Sequence, residues 1–201
     1  MRLWDDLYAS RRALAAFVVI GIGWASFSAQ MPVIKDQVGV GDGFWGTLIL
    51  IGSTGALMAM WLAPLVYKWI GSWSLIAGIA FMIIGFVLSG LAQGPVFVGF
   101  ALFLAAAGSG VADVLANAEV SEAESETGRG LMNLNHGLFS LTYAVAAICV
   151  GAAREAGFGP FEIFVGMGVV VVALMIWMRL PKRQMPEEQT GSASGLSLIH
   201  I

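Results

Sequence analysis

Two side chains able to exchange protons, Asp113 and His136, stand inside long apolar runs. Asp113 and Asn117 are four residues apart, so they share a face if the run is helical. His136 shares its face with Asn133, Ser140 and Tyr143, at spacings of three, four and seven. In an apolar setting such groups are costly and are retained where they meet water, a solute or each other. The pattern suits a polar cavity that binds a hydrophilic solute, with Asp113 able to carry a proton. The competing reading is a structural Asp113–His136 pair, or two side chains reaching headgroup water. Trp24, Ser26 and Gln30 form a weaker polar group; Gln30 precedes Met31-Pro32 and suits an interfacial position equally well. Glu162, at the start of the last apolar run, reads as interfacial.

Other chemistry finds little support. Cys149 is the single cysteine, so the chain has no internal disulfide and no cysteine-based metal site. Its neighbours Ala146, Ala147, Ile148 and Val150 suggest a small buried hydrophobe. The glycine pairs Gly21/Gly23 and Gly108/Gly110 resemble pieces of phosphate loops, but each lies in an apolar run with no strand before it. An enzymatic reading would need a nucleophile beside the Asp–His pair, and none is present. No metal and no cofactor is implied.

The elements that position these residues follow from composition. Of 201 residues, 58% are hydrophobic and 11% charged. A soluble domain carries about 25% charged residues. The net charge of −3, without a basic stripe, argues against nucleic acid as a partner. The apolar residues fall into six runs: 13–34, 44–67, 73–91, 96–118, 131–153 and 161–180. Each is long enough for a transmembrane helix, which needs about 20 residues. Turn residues separate the runs, among them 39–43, Gly71-Ser72, Gln93-Gly94-Pro95 and 157–160. The runs are continuous rather than alternating, which excludes a β-barrel. The first run is too long for a signal-peptide core and reads as a retained span. Pro64 marks a kink or a helix end. The acidic stretch Glu119, Glu122, Glu124 and Glu126 reads as a solvated loop whose first residues prolong the fourth helix.

With the N-terminus in the cytoplasm, Arg2, Arg11, Arg12, Lys68, Arg129, Arg179, Lys182 and Arg183 lie inside, and Lys35 and Arg154 outside. That bias follows the positive-inside rule and predicts a multi-pass protein of a bacterial-type inner membrane with both termini inside. Asp113 lies five residues before the end of the fourth run, and His136 five residues after the start of the fifth. Antiparallel helices would hold them at matched depth, about 8 Å from the cytoplasmic edge. Asn117, Asn133 and Asn135 would lie nearer the surface. Small residues at four-residue spacing (Gly52/Ala56, Gly55/Ala59, Ala101/Ala105, Gly108/Ala112) predict seams where helices pack closely, and which would also permit sliding.

This layout resembles the N-terminal half of a major facilitator superfamily transporter over 1–183. The loop between the second and third spans keeps Lys68 and Gly71 of that superfamily's Gly-x-x-x-Asp-Arg/Lys-x-Gly-Arg-Arg/Lys gating motif, with Tyr67 and Trp73 at its acidic and later basic positions. Gly108-x-Gly110-x-x-Asp113-x-x-x-Asn117, then Met132-Asn133-x-Asn135-His136-Gly137-x-Phe139-Ser140, is similar to the fucose and sugar permease-like branch. The resemblance implies an all-α, twelve-helix fold of which six helices are present here, with a 3+3 inverted repeat in each half. It also implies a midplane site, alternating access, and proton symport as one mode. The expected partners are a small hydrophilic solute, a proton, the lipid bilayer and a second six-helix half. Residues 184–201 would begin the central linker, with 196–201 resembling non-native sequence. The alternative expectation is a complete six-helix protein that dimerises or acts as a membrane scaffold.

Overall fold

A computed structural model describes residues 2–178 of the chain. Its described residues are helical with no strand. The helices are α1 (Arg2–Ala9), α2 (Arg11–Gln37), α3 (Asp42–Ile70), α4 (Trp73–Gly90), α5 (Pro95–Thr127), α6 (Met132–Glu155) and α7 (Pro160–Met178). Five of them, α2 to α6, are long and apolar enough to cross a membrane, and α7 is a shorter apolar helix over the described residues. The end of the sixth run (179–180), Arg179, Lys182 and Arg183, the linker 184–201 and the segment 196–201 lie outside the described residues.

Local chemistry sets the helix ends. Pro95 opens α5, where its missing N–H costs nothing. Gly128 closes α5 with φ 66°, a left-handed turn that a side chain disfavours. Gly71 ends α3 with φ 55°. Pro64 does not end its helix, because α3 continues to Ile70.

The acidic stretch corrects the loop expectation. It is helical throughout, and α5 runs on to Thr127. At 1.5 Å per residue its 33 residues reach about 50 Å, well beyond a hydrocarbon core of about 30 Å. Ala116, Val120 and Ala123 explain the extension: they form one buried stripe, so the helix still packs after its opposite face turns acidic. Glu124 then turns back and accepts hydrogen bonds from the Leu131 N–H (2.6 Å) and the Met132 N–H (2.8 Å), capping α6. Hydropathy sees only the apolar segment and misses this amphipathic continuation. The same limit hid α1, which is too short and too charged to register as a run.

The packing has a swapped order. α2 lies along α6, and α5 lies along α3 and α4. The first helix of each three-helix set therefore packs on the second helix of the other set, as an inverted repeat of two triplets requires. The predicted seams are the points of closest approach. A Cβ on Gly78 would lie 2.8 Å from the Gly108 carbonyl oxygen, and one on Gly110 would lie 2.8 Å from the Ala59 Cβ. Gly55 of α3 meets the Phe103 backbone of α5 more closely still. Between α2, α4 and α7 the core is aromatic. Phe27 stacks on Phe86 (5.6 Å between centroids), Phe86 on Phe164 (5.9 Å), and Trp24 meets Phe86 edge-on.

Candidate functional site

α5 and α6 run antiparallel from the tight connection at 128–131, so residues equally far from it face each other. Asn117 carries the contact between them. Its Nδ2 donates to the Asp113 carbonyl oxygen (2.8 Å), which fixes the orientation of the amide. Its Oδ1 lies 3.2 Å from His136 Nε2. An amide oxygen only accepts, so Nε2 carries the proton in this arrangement and donates it to Asn117. From α2, the buried Phe17 meets the His136 ring edge-on at 5.0 Å. The imidazole is thus held between a helix that binds its nitrogen and one that packs on its ring.

Asp113 lies one turn beyond Asn117, with its side chain exposed and within electrostatic reach of His136 and the Asn117 amide. The structure therefore brings Asp113, Asn117 and His136 together. The link between His136 and α5 is Asn117, and no direct Asp113–His136 hydrogen bond forms. Ser140 stands one turn further along α6; its hydroxyl donates to the His136 carbonyl oxygen (3.0 Å). Tyr143 extends the row and donates to Ser28 Oγ of α2 (2.7 Å). Asn133 is exposed at the start of the same face.

From Asn133 to Tyr143 this polar row covers about 15 Å of α6. α2 touches the row only at the His136 ring and Tyr143, and Asn133, His136 and Ser140 stay exposed although they stand in an apolar span. Lipid is a poor neighbour for such a row, because it offers no hydrogen-bond partner to polar groups at membrane depth. The arrangement can offer a solute a carboxylate, an imidazole and hydroxyls, with Asp113 and His136 as proton-exchanging groups. Among the described residues no group of three or more His, Cys, Asp or Glu side chains is placed to hold a metal ion.

The remaining predicted residues lie apart from this row. Trp24 is half-buried and its Nε1 donates to Ser109 Oγ (2.9 Å), joining α2 to α5. Gln30 is fully buried, with neither amide atom hydrogen-bonded, so it does not take the interfacial position. Lys68 is exposed near the end of α3, and Gly71 is the helix-terminating residue. Asn135 stands near the start of α6, at the Arg-rich end. It is fully buried, and its Nδ2 donates to Ser10 Oγ (3.0 Å) and to the Leu131 carbonyl oxygen (2.8 Å). Cys149, expected to be buried, is exposed on α6. Apolar neighbours signal burial in a soluble protein, whereas in a membrane span lipid serves as well.

Sequence reasoning missed a polar network at the Arg-rich end. Arg12 Nη2 donates to the Ser72 carbonyl oxygen (2.6 Å), and Arg12 Nε lies 3.5 Å from Glu119. One side chain thereby ties α2 to the α3–α4 turn and to the extension of α5. Arg129 donates to Asp6 (2.8 Å) and approaches Asp5 (3.8 Å), joining the α5–α6 connection to α1. The partners are at least 60 residues apart, so no local pattern announces them. At the opposite end Lys35 pairs with Asp42, and Arg154 donates to the Ala29 carbonyl oxygen (2.8 Å).

An uncharacterized MFS-type transporter of Yersinia pestis is 30% identical to the chain over 166 residues, which is 80% of this chain and 42% of that protein. The chain thus spans less than half the length of that relative. No family model matches the sequence, and no solved structure matches it. The helical fold, with five helices long and apolar enough to cross a membrane, agrees with that similarity.

Proposed function

We propose that this chain is the N-terminal six-helix half of a secondary active transporter that moves a small hydrophilic solute by alternating access. The observation that carries the proposal is the exposure of Asn133, His136 and Ser140 in a polar row on α6, joined through His136 and Asn117 to Asp113 on α5. A row of this length inside the hydrocarbon is tolerable where it borders a water-filled passage. The second six-helix half supplies the facing wall of that passage. Asp113 takes up and releases the coupling proton, and His136 and Asn117 contact the solute. Ser140 and Asn133 extend the polar lining towards the two ends of the row. Trp24 ties α2 to α5 behind it, the buried Gln30 amide is a further polar group on α2, and Lys68 and Gly71 belong to the turn that moves as the passage opens. The solute is sugar-like, a reading that rests on the resemblance of 132–140 to the permease-like branch. The protein sits in the inner membrane with its Arg-rich end in the cytoplasm, as the distribution of basic residues favours.

The test uses the full-length protein in sealed proteoliposomes and follows proton-gradient-driven accumulation of a panel of labelled monosaccharides. The proposal expects accumulation of at least one of them. Asp113→Asn then abolishes accumulation while leaving gradient-independent exchange. Unchanged proton-driven accumulation by Asp113→Asn would refute the coupling role. Accumulation of none of the sugars would refute the solute class.

A further inference from the structure

The N-terminal helix α1 is absent from every functional reading above, yet its two faces have different surroundings. Leu3, Trp4 and Tyr8 are 58%, 76% and 68% exposed and form one apolar stripe. On the other side, Asp6 accepts a hydrogen bond from Arg129, with Asp5 close to the same guanidinium. The helix therefore turns Asp6 toward the protein and its aromatic residues away, with Asp5 exposed beside the same guanidinium.

Three observations say what covers the apolar stripe. First, α1 leads directly into α2, one of the spanning helices, and the break between them is at Ser10, with φ −106° and ψ 12°. Ser10 is buried and receives the Asn135 hydrogen bond, so the junction is fixed to α6 at the Arg-rich end. Second, the same end carries further exposed aromatic residues. Trp69 (78%) and Trp73 (55%) flank the α3–α4 turn whose Ser72 carbonyl binds Arg12. Tryptophan and tyrosine gather at the headgroup level, where an apolar ring and a polar edge are both accommodated. Trp4 and Tyr8 continue this belt. Third, the Arg11 guanidinium stands 4.2 Å over the Tyr8 ring, which pairs the aromatic face with a cation suited to lipid phosphates.

We propose that α1 is an interfacial helix docked on the membrane at the Arg-rich end. Leu3, Trp4 and Tyr8 enter the boundary between headgroups and acyl chains. Asp5 and Asp6 face away from lipid and hold Arg129 in the α5–α6 connection. The lipid surface thereby becomes a positioning element for the two helices that carry Asn117 and His136. A second protein, or a second copy of this chain, is the competing occupant of the stripe.

The experiment attaches nitroxide labels in the full-length protein, with Cys149→Ser as background, at L3C, W4C, Y8C and D5C. A label at S125C, on the water-exposed extension of α5, serves as the aqueous reference. The protein is reconstituted in vesicles of phosphatidylethanolamine and phosphatidylglycerol, and each label is tested for collision with oxygen and with a water-soluble nickel chelate. The proposal expects labels at 3, 4 and 8 to collide preferentially with oxygen, and those at 5 and 125 with nickel. Nickel-dominated collisions at 3, 4 and 8 would put α1 in water and overturn it. Labels at those positions shielded from both reagents would assign the stripe to a protein partner and overturn it equally. If W4C does not fold, L3C and Y8C give the same discrimination.

Discussion

Replacing Gly108 by alanine would put a Cβ 2.5 Å from both the Gly78 carbonyl oxygen and the Met82 amide nitrogen of α4, and 2.9 Å from the Phe81 Cβ. Ordinary contact begins at 3.4 Å, so α4 and α5 would have to separate by about 0.9 Å. The two nearest obstructing atoms are backbone, and neither they nor a Cβ can rotate away. Overpacking of this kind costs about 1–3 kcal/mol. Alanine also gains about 1 kcal/mol of helix propensity over glycine, which offsets part of the cost. Gly166 of α7 isolates that second effect, because no atom lies within 4 Å of a Cβ built there. The assay is thermal unfolding of both variants in the same detergent. Gly108→Ala should lie below the wild type by up to about 8 °C, taking a net cost of about 0–2 kcal/mol and the size scaling of stability. Gly166→Ala should match the wild type or exceed it. A Gly108→Ala protein at least as stable as Gly166→Ala would refute the close approach of α4 and α5.

Two further outcomes follow from individual contacts. Trp24→Phe keeps the ring against Phe86 and loses the hydrogen bond to Ser109, so it should cost about 0.6 kcal/mol and at most about 1.7 kcal/mol; Trp24→Ala should cost several times more in the same unfolding measurement. Glu124→Ala leaves the Leu131 and Met132 amides without their acceptor and should cost about 1 kcal/mol, read as faster hydrogen exchange at those two amides. Glu124→Gln, which keeps an acceptor oxygen, should restore much of the protection.

Much of the fold is legible in the sequence because a membrane span needs length and hydrophobicity at once. The six runs locate α2 to α7, with ends shifted by a few residues except where α5 continues through Glu119–Thr127. The small-residue spacings locate the α3–α5 and α4–α5 seams, since close packing in lipid depends on missing side chains. The neighbourhood of Asp113, Asn117 and His136 is legible because an antiparallel pair with a short connection fixes matched depths. Which of the three touch is not: Asn117, read as nearer the surface, bridges to His136 by side-chain geometry that spacing cannot supply. Burial at Asn135 and exposure at Cys149 were illegible for a related reason. In a span, polarity no longer separates inside from outside, so the packing partners decide. The Arg12 and Arg129 networks join distant segments and exist only once the helices are assembled.

The central claim is that the polar row on α6, with its Asp113–Asn117 neighbour on α5, borders a passage for water and solute. Single cysteines test it most directly: His136→Cys and Ser140→Cys in the full-length protein with Cys149→Ser, beside Val169→Cys on the exposed apolar face of α7. Sealed vesicles of both orientations are treated with a membrane-impermeant thiol reagent. The account predicts that the cysteines at 136 and 140 react from at least one side of the membrane while the one at 169 stays inert. Equal inertness at all three positions would contradict it, because the row would then face lipid or packed protein rather than water.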